Sequence, residues 1–316
     1  MTEKELIKKY FHFPLHSKNV ALGIGDDAAI LTVPEGYSLA LSVDTLNEDI
    51  HFLKNTDPHN LAYKAVAVNV SDLAAMGAKP LSILLSLSLP HIDETWLATF
   101  SKGLQEALET YEISLIGGDL NKGPLSITIE AQGFIKPEQA FLRSNAKVGD
   151  LIVVSNTLGG ARVALAALQG KITLSETALH CVRDFLEKPQ PPVALSQSLL
   201  GKVHCALDLS DGLHHDLSRI CEASHVGAKI NVEALPIPIL VQEILGNEKA
   251  IDYAISGGDD YQLCFTINKK HQDFLQALSK EYRLSILGEI IEGNGIQYYQ
   301  QEKRVEKNSQ GFEHFN

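Results

Sequence analysis

Apolar residues recur with two different periods along this chain, and the places where the period changes outline its elements. In MTEKELIKKYF (1–11) they fall on one side of a helical wheel between charged residues, which predicts a short amphipathic helix. A glycine turn, GIGDD (23–27), follows, with strand-like runs over 29–33 and 39–43 separated by Pro34, Glu35 and Gly36. Asp57 and Pro58 open a long helix that should reach about Met76 and stop at Gly77. LSILLSLSL (81–89) alternates cleanly and predicts a strand with one face buried. A helix over 93–110 comes next, then a short strand into IGGDLNKGP (116–124) and another strand over Ser126–Ile135.

The pattern lapses between residues 136 and 150, where AKVGD has turn character, and we place a domain boundary there, giving domains 1–137 and 138–316. The second half begins with the strand LIVVS (151–155) and runs through helices to the prolines at 189–192. It then alternates strand and helix through DLSDG, SGGDDY and LGEI to a polar tail ending GFEHFN. Each half carries a Gly-Gly-Asp, at 117–119 and 257–259, expected at the end of a strand. The fold class is α/β (α+β) in two domains.

Composition narrows the function. The 316 residues are 45% hydrophobic, enough for two real cores, and carry a formal charge of −12. With no basic run to hold a phosphate backbone, nucleic acid and anionic membrane are excluded as partners. The four cysteines form no C-x-x-C, which argues against structural zinc or a disulfide framework and fits a reducing compartment. The N-terminus is not a signal peptide, and no run approaches the roughly 18 apolar residues that cross a bilayer. A soluble, cytoplasmic protein is expected.

The chemistry lies in its carboxylates. Asp26 with Asp27, Asp44, Asp119, Asp208 with Asp211, and Asp259 with Asp260 all follow apolar runs, where turns are expected. In ALDLSDGLHHDL (206–217) a buried strand leads into a helix beginning near Leu213, and the corner carries two aspartates and Ser210 where a cap needs only one of them. Asp72 lies in LAYKAVAVNVSDLAAMG, a helix apolar nearly all round, with Asn69 on the same face and only Lys64 as a cation, on a different side. A buried carboxylate there needs either a hydrogen-bond partner across the helix or a metal ion. Oxygen-only sets flanked by glycine suit Mg²⁺, which usually arrives with phosphates. P-loop and protein-kinase motifs are absent from the sequence.

The motifs GIGDDAAIL, SVDTLNEDIHF, AVAVNVSDLAAMGAKP, LIGGDLNKGP, LRSNAKVGD, DLSDGL and SGGDDYQLCF, in that order, resemble the thiamine-monophosphate kinase family. That family belongs to the ATP-using superfamily that includes aminoimidazole ribonucleotide synthetase. The resemblance spans nearly the whole chain, from GIGDD to the terminal GFEHF. It implies a two-domain fold whose N-terminal domain pairs across a homodimer, with ATP and several Mg²⁺ ions in a cleft between domains. Carried over by position, it makes Asp27, Ser42, Val43 (through its carbonyl), Asp44, Asp72, Asp119, Asp208 and Asp211 metal ligands. Gly118, Asp119, Arg143 and Ser210 become ATP contacts, and His51, Asp259 and Phe312 the pocket for thiamine monophosphate, with Asp119, Asp208 and Arg143 carrying catalysis. The sequence departs from the family pattern with Asp at 259 where Glu is common, and Phe at 312 where Tyr or Trp is. Lys122 stands in place of Arg, and Asn145, suited to a left-handed turn, in place of Gly.

The implied reaction is ATP-dependent phosphorylation of thiamine monophosphate to thiamine diphosphate, by in-line transfer to a phosphate oxygen that is already anionic. Another ATP-dependent synthetase of the same superfamily, and a non-catalytic nucleotide or Mg²⁺ sensor, are the alternatives; His51 and the GFEHF tail speak against the first, the full set of carboxylates against the second. The strand over 81–89, taken as long beside its neighbours, suggests a sheet continued by a second copy. His214 and His215 are expected at exposed helix positions, Trp96 in core or dimer packing, and Cys264 as a buried small hydrophobe.

Overall fold

The computed structural model describes residues 2–307, so Phe312 and the GFEHF segment lie outside the described residues. It divides into two compact units: Met1–Ala74 with Ala78–Glu138, and Ala75–Gly77 with Gln139–Asn316.

Unit one opens with α1 (Glu3–Tyr10), closed at its start by a capping box between Thr2 and Glu5. The GIGDD turn joins β1 (Val20–Leu22) to β2 (Ile30–Leu31), the latter shorter than its apolar run. Next come β3 (Ser38–Asn47), α2 (Pro58–Ala75), β4 (Lys79–Leu89), α3 (Glu94–Thr110), β5 (Ser114–Lys122) and β6 (Ser126–Ile135). Asp93 starts α3 by accepting from the backbone N–H groups of Thr95 and Trp96. The four long strands form one sheet in the order β3-β6-β4-β5. β6 is antiparallel to β3 and β4, and β5 is parallel to β4.

Pairing fixes which side chains share a face, because successive residues of a strand alternate. Ser42, Asp44 and Leu46 lie level with Ala131, Ile129 and Ile127, and on β4 with Ile83, Leu85 and Leu87. That face is buried apart from the half-buried Ser42 and Asp44, and α2 lies against it. The opposite face carries Leu41, Val43, Thr45, Thr128, Ser86 and Asp119. Within one chain Leu41 and Val43 remain 62% and 61% exposed. α2 is buried continuously from Leu61 to Ser71, as an all-round apolar helix must be. α3 approaches it closely at Gly103, where a Cβ would sit 1.9 Å from the carbonyl oxygen of His59.

Two expectations need correction here. β4, an inner strand of a sheet whose open edges are β3 and β5, does not stand out in length, since β3 and β6 have ten residues each and β5 nine. Asp44 and Asp119 are not in turns: they lie inside β3 and β5, each with a paired residue opposite.

Unit two runs β7 (Leu151–Ser155), α4 (Gly160–Leu168), α5 (Glu176–Glu187), α6 (Val193–Ser198), β8 (Cys205–Asp208), α7 (Leu213–Ser224), β9 (Gly227–Asn231), α8 (Ile239–Leu245) and α9 (Asn247–Ser256). It ends with β10 (Leu263–Ile267), α10 (Gln272–Leu278), β11 (Leu284–Ile291), β12 (Gly295–Gln300) and β13 (Lys303–Val305). The seven strands are ordered β13-β12-β9-β11-β7-β10-β8, antiparallel except for β12 beside β9. Neighbouring residues of β7 point into different cores: Ile152 and Val154 pack with α4, α7 and α9, and Val153 with Phe141, Leu199 and Phe265. Gly257, Gly258 and Asp259 follow a helix, α9, not a strand, so the two Gly-Gly-Asp stretches are not structural equivalents. Asn145 lies in a 3₁₀ turn and not in a left-handed conformation; its side chain donates to the carbonyl of His204 at 3.2 Å.

Candidate active site

In unit one the candidate residues converge where β3 crosses α2. The Ser42 hydroxyl donates to the Asp72 carboxylate, and Asn69 Oδ1 accepts the backbone N–H of Asp44 at 3.1 Å. Asn69 is buried and is itself fixed, its Nδ2 donating to the Ala65 carbonyl at 3.0 Å. Two side chains one helical turn apart on α2 thus grip alternate residues of β3, and Asp44 is presented on the same face as Ser42. Asp72 is half-buried, not buried as its apolar surroundings suggest, because it stands at the open margin of this contact. The Ser42 hydroxyl is one of its partners.

His51 follows the end of β3. Its Nδ1 accepts the backbone N–H of Asn47 at 3.0 Å, so the proton of the neutral ring sits on Nε2, a donor. Asp27 is exposed on the β1–β2 turn. Asp119 is also exposed, and accepts from Asn121 Nδ2 at 2.8 Å. The preceding Gly118 has φ +147, and a Cβ there would meet the Leu85 carbonyl oxygen at 1.8 Å, so β5 can pair with β4 at this point only through glycine. Asp119 does not join the Asp44–Asp72 corner. It lies on the other face of the sheet, and its strand is three strand spacings from β3, about 14 Å.

In unit two β8 delivers Asp208, 7% exposed, to the start of a loop that carries Ser210 and Asp211 into α7. A second loop runs beside it, with the N–H of Asp259 donating to the Ser210 carbonyl and that of Tyr261 to the Leu209 carbonyl, both at 2.8 Å. Glycine permits the approach: a Cβ on Gly258 would lie 2.6 Å from the Ser210 carbonyl oxygen. Asp259 itself adopts φ +66. The adjacent Asp260 is buried and accepts the Gly159 N–H with both oxygens at 3.0 Å; burial nevertheless holds its carboxyl well above the ordinary range. Arg162 donates to the Ser256 carbonyl at 3.2 Å, at the entry to this loop.

The DLSDG loop has its own brace. Asp216 Oδ2 accepts the N–H groups of Asp211 at 3.0 Å and Gly212 at 3.1 Å, and Oδ1 accepts from Arg219 at 3.1 Å. Burial, then the neighbouring Asp211, pushes the Asp216 carboxyl up to about 6. Arg219 also donates to Asp211 at 2.7 Å. Arg143 begins a 3₁₀ turn with its side chain exposed, its carbonyl accepting from Ser224 Oγ at 2.7 Å. His214 and His215 are half-buried, contrary to expectation, because His214 packs on the buried Tyr298 with Nδ1 and the phenol oxygen 3.0 Å apart. Trp96 is half-buried and stacks on Phe100 with ring centroids 4.8 Å apart, and Cys264 is fully buried.

Among the described residues, no three His, Cys, Asp or Glu side chains stand close enough together to enclose a metal ion. The corner in unit one offers two carboxylates and a hydroxyl, an oxygen-only set. That chemistry fits Mg²⁺, a hard cation that commonly takes one or two carboxylates and keeps several waters. No helix among the described residues is long and apolar enough to cross a membrane.

Residues 25–135 match the model of the AIR synthase related protein N-terminal domain, and residues 147–300 that of its C-terminal domain. The thiamine-monophosphate kinase of Haemophilus influenzae is 43% identical, covering 100% of this chain and 98% of that protein. The crystal structure of thiamine-monophosphate kinase from Stenotrophomonas maltophilia K279a superposes with a TM-score of 0.86 at 37% identity, covering 96% of each chain. That of AaThiL complexed with AMPPCP and TMP gives 0.80 at 30% identity, covering 100% of this chain and 99% of the other. The chain belongs to the AIR synthase related family and, within it, to the thiamine-monophosphate kinases.

Asn69, Asp216, Arg219, Arg162 and Asp260 hold the candidate residues in place, and sequence reading gave none of them that role. Two of them left a trace: Asn69, as a polar residue one turn before Asp72 inside an apolar helix, and Asp260, as the second member of an acidic pair.

Proposed function

We propose that this chain transfers the γ-phosphoryl group of ATP to the phosphate of thiamine monophosphate, giving ADP and thiamine diphosphate. Its family membership supports the activity, and the corner of Ser42, Asp44, Asn69 and Asp72 is the observation that carries the reading. An acceptor phosphate oxygen forms the new P–O bond as the bond from the γ-phosphorus to the bridging oxygen of ADP breaks. That nucleophile is ionised near neutral pH, its second pKa being about 6, so no side chain has to take a proton from it. His51 fits this reading: its Nδ1 accepts a backbone N–H, so the neutral ring carries its proton on Nε2, as a donor and not as a base.

In this reading Ser42, the Val43 carbonyl, Asp44 and Asp72 hold Mg²⁺ in unit one, with Asp27 beside them, and Asp208 and Asp211 hold it in unit two. Bound Mg²⁺ would supply charge neutralisation between two anionic reactants. Gly118, Asp119, Arg143 and Ser210 face ATP, and His51 and Asp259 face the acceptor. The Arg143 guanidinium is a fixed positive charge against the phosphates. Phe312 belongs to the same pocket in this reading, though it lies outside the described residues.

Asp119 needs a further step. About 14 Å of sheet separates its strand from that of Asp44, far beyond the 2.0–2.1 Å of a Mg–O bond. We place Asp119 in the site of a second copy, in a homodimer that covers the exposed Leu41 and Val43 on the open face of the sheet. The function is tested by following ADP release at saturating ATP and Mg²⁺ with two acceptors. Thiamine monophosphate should support turnover, and thiamine, whose hydroxyl must lose a proton as it attacks, should not. Equal turnover on both would contradict the reading.

A further inference from the structure

Arg219 is bound to the DLSDG loop, and it is held unequally at its two ends. Nη1 meets Asp216, whose side chain is 0% exposed, at 3.1 Å; Nη2 meets Asp211, 23% exposed, at 2.7 Å. The inner end is locked, because Asp216 is also fixed by the N–H groups of Asp211 and Gly212. The outer end reaches past that brace to the carboxylate on the solvent side. We infer that Arg219 is a resident counter-ion for Asp211, which a divalent cation must displace to take that carboxylate, while Asp216 keeps the guanidinium tethered. The inference rests on the reading of Asp211 as a metal ligand.

The chemistry favours exchange over a fixed strut. Bracing the loop backbone requires only Asp216, whose carboxylate already accepts both N–H groups. The second arm of Arg219 adds nothing to that brace. What it does is neutralise Asp211 in a neighbourhood that also holds Asp208, Asp216, Asp259 and Asp260. A planar guanidinium can span two carboxylates with separate N–H groups, which the point charge of lysine does not do. The outer pair is partly exposed and so worth little by itself. Such a pair can yield to a doubly charged ion. Arg219 is thus a positioning residue that balances the Asp211 charge until a cation arrives, at the cost of weakening cation binding.

The test is Mn²⁺ binding to the full chain without nucleotide, followed by electron paramagnetic resonance. Arg219→Gln should tighten binding by about three-fold, the range expected for removing one partly exposed ion pair. The gain should vanish in the double variant Arg219→Gln/Asp211→Asn. Should Arg219→Gln fail to fold, Arg219→Lys, which can satisfy Asp216 but not span both carboxylates, should shift binding in the same direction. In steady state Arg219→Gln and Arg219→Lys should need less Mg²⁺ for half-maximal rate, with KM for thiamine monophosphate unmoved. Unchanged or weaker Mn²⁺ binding in a folded Arg219 variant, with Asp211→Asn alone weakening it, would overturn the exchange. If Asp211→Asn alone left binding unaltered, Asp211 would not be a ligand, and the underlying reading would fall with the inference.

Discussion

Replacing Asn69 with leucine removes the contact that ties Asp44 to α2 while keeping a buried side chain of similar size. The lost hydrogen bond is worth about 0.5–1.5 kcal/mol, and stranding the Asp44 N–H adds about 1–3 kcal/mol if no water reaches it. The Ala65 carbonyl loses the Asn69 Nδ2 donor as well. We expect a loss of about 2–3 kcal/mol in urea denaturation, and a rise of about ten-fold in the Mg²⁺ concentration giving half-maximal rate, equivalent to 1.4 kcal/mol. Asn69→Asp separates the two effects. It keeps an acceptor for the Asp44 N–H but sets a third charge beside Asp44 and Asp72, so the loss of stability should be partly restored by millimolar Mg²⁺. If Asn69→Leu changed stability by less than about 0.5 kcal/mol and left the Mg²⁺ requirement unaltered, the corner would not be the metal-holding element argued here.

Two further outcomes follow from the geometry. Asp44→Asn and Asp119→Asn should each be inactive, yet refolding them together should restore about a quarter of the wild-type rate, since half the dimers then carry one site with both aspartates intact; no recovery in mixed dimers would place Asp119 elsewhere. Burial, then His215, holds the His214 imidazole below its ordinary range, so the folded chain binds that proton more weakly than the unfolded one. Its stabilising contribution is complete above about pH 6.5 and is lost as the pH falls below that value, so His214→Gln should flatten urea stability between about pH 7.5 and 5.5, and parallel profiles would refute it.

Much of the fold was legible because its signals are local. β6 and β7 occupy the spans their alternation and flanking turns indicate, and Asp93 marks the start of α3. The errors arose where a residue's reason lies across a sheet. Gly117 and Gly118 read as the end of a strand, yet Gly118 is in mid-strand, where the Leu85 carbonyl leaves no room for a Cβ. Asp44 read as a turn residue, whereas it is an inward polar position met by Asn69, 25 residues away. Arg219 carried no signal at all, since its role appears only once α7 turns its side chain back on Asp211 and Asp216.

The most direct test of direct phosphoryl transfer to a phosphate acceptor follows the label of ATP carrying ³²P at the γ-position, in the presence of thiamine monophosphate and Mg²⁺. The label should appear in the terminal phosphate of thiamine diphosphate in step with ADP formation, with none released as inorganic phosphate. Label accumulating as inorganic phosphate, or ADP forming at the same rate without thiamine monophosphate, would contradict the account.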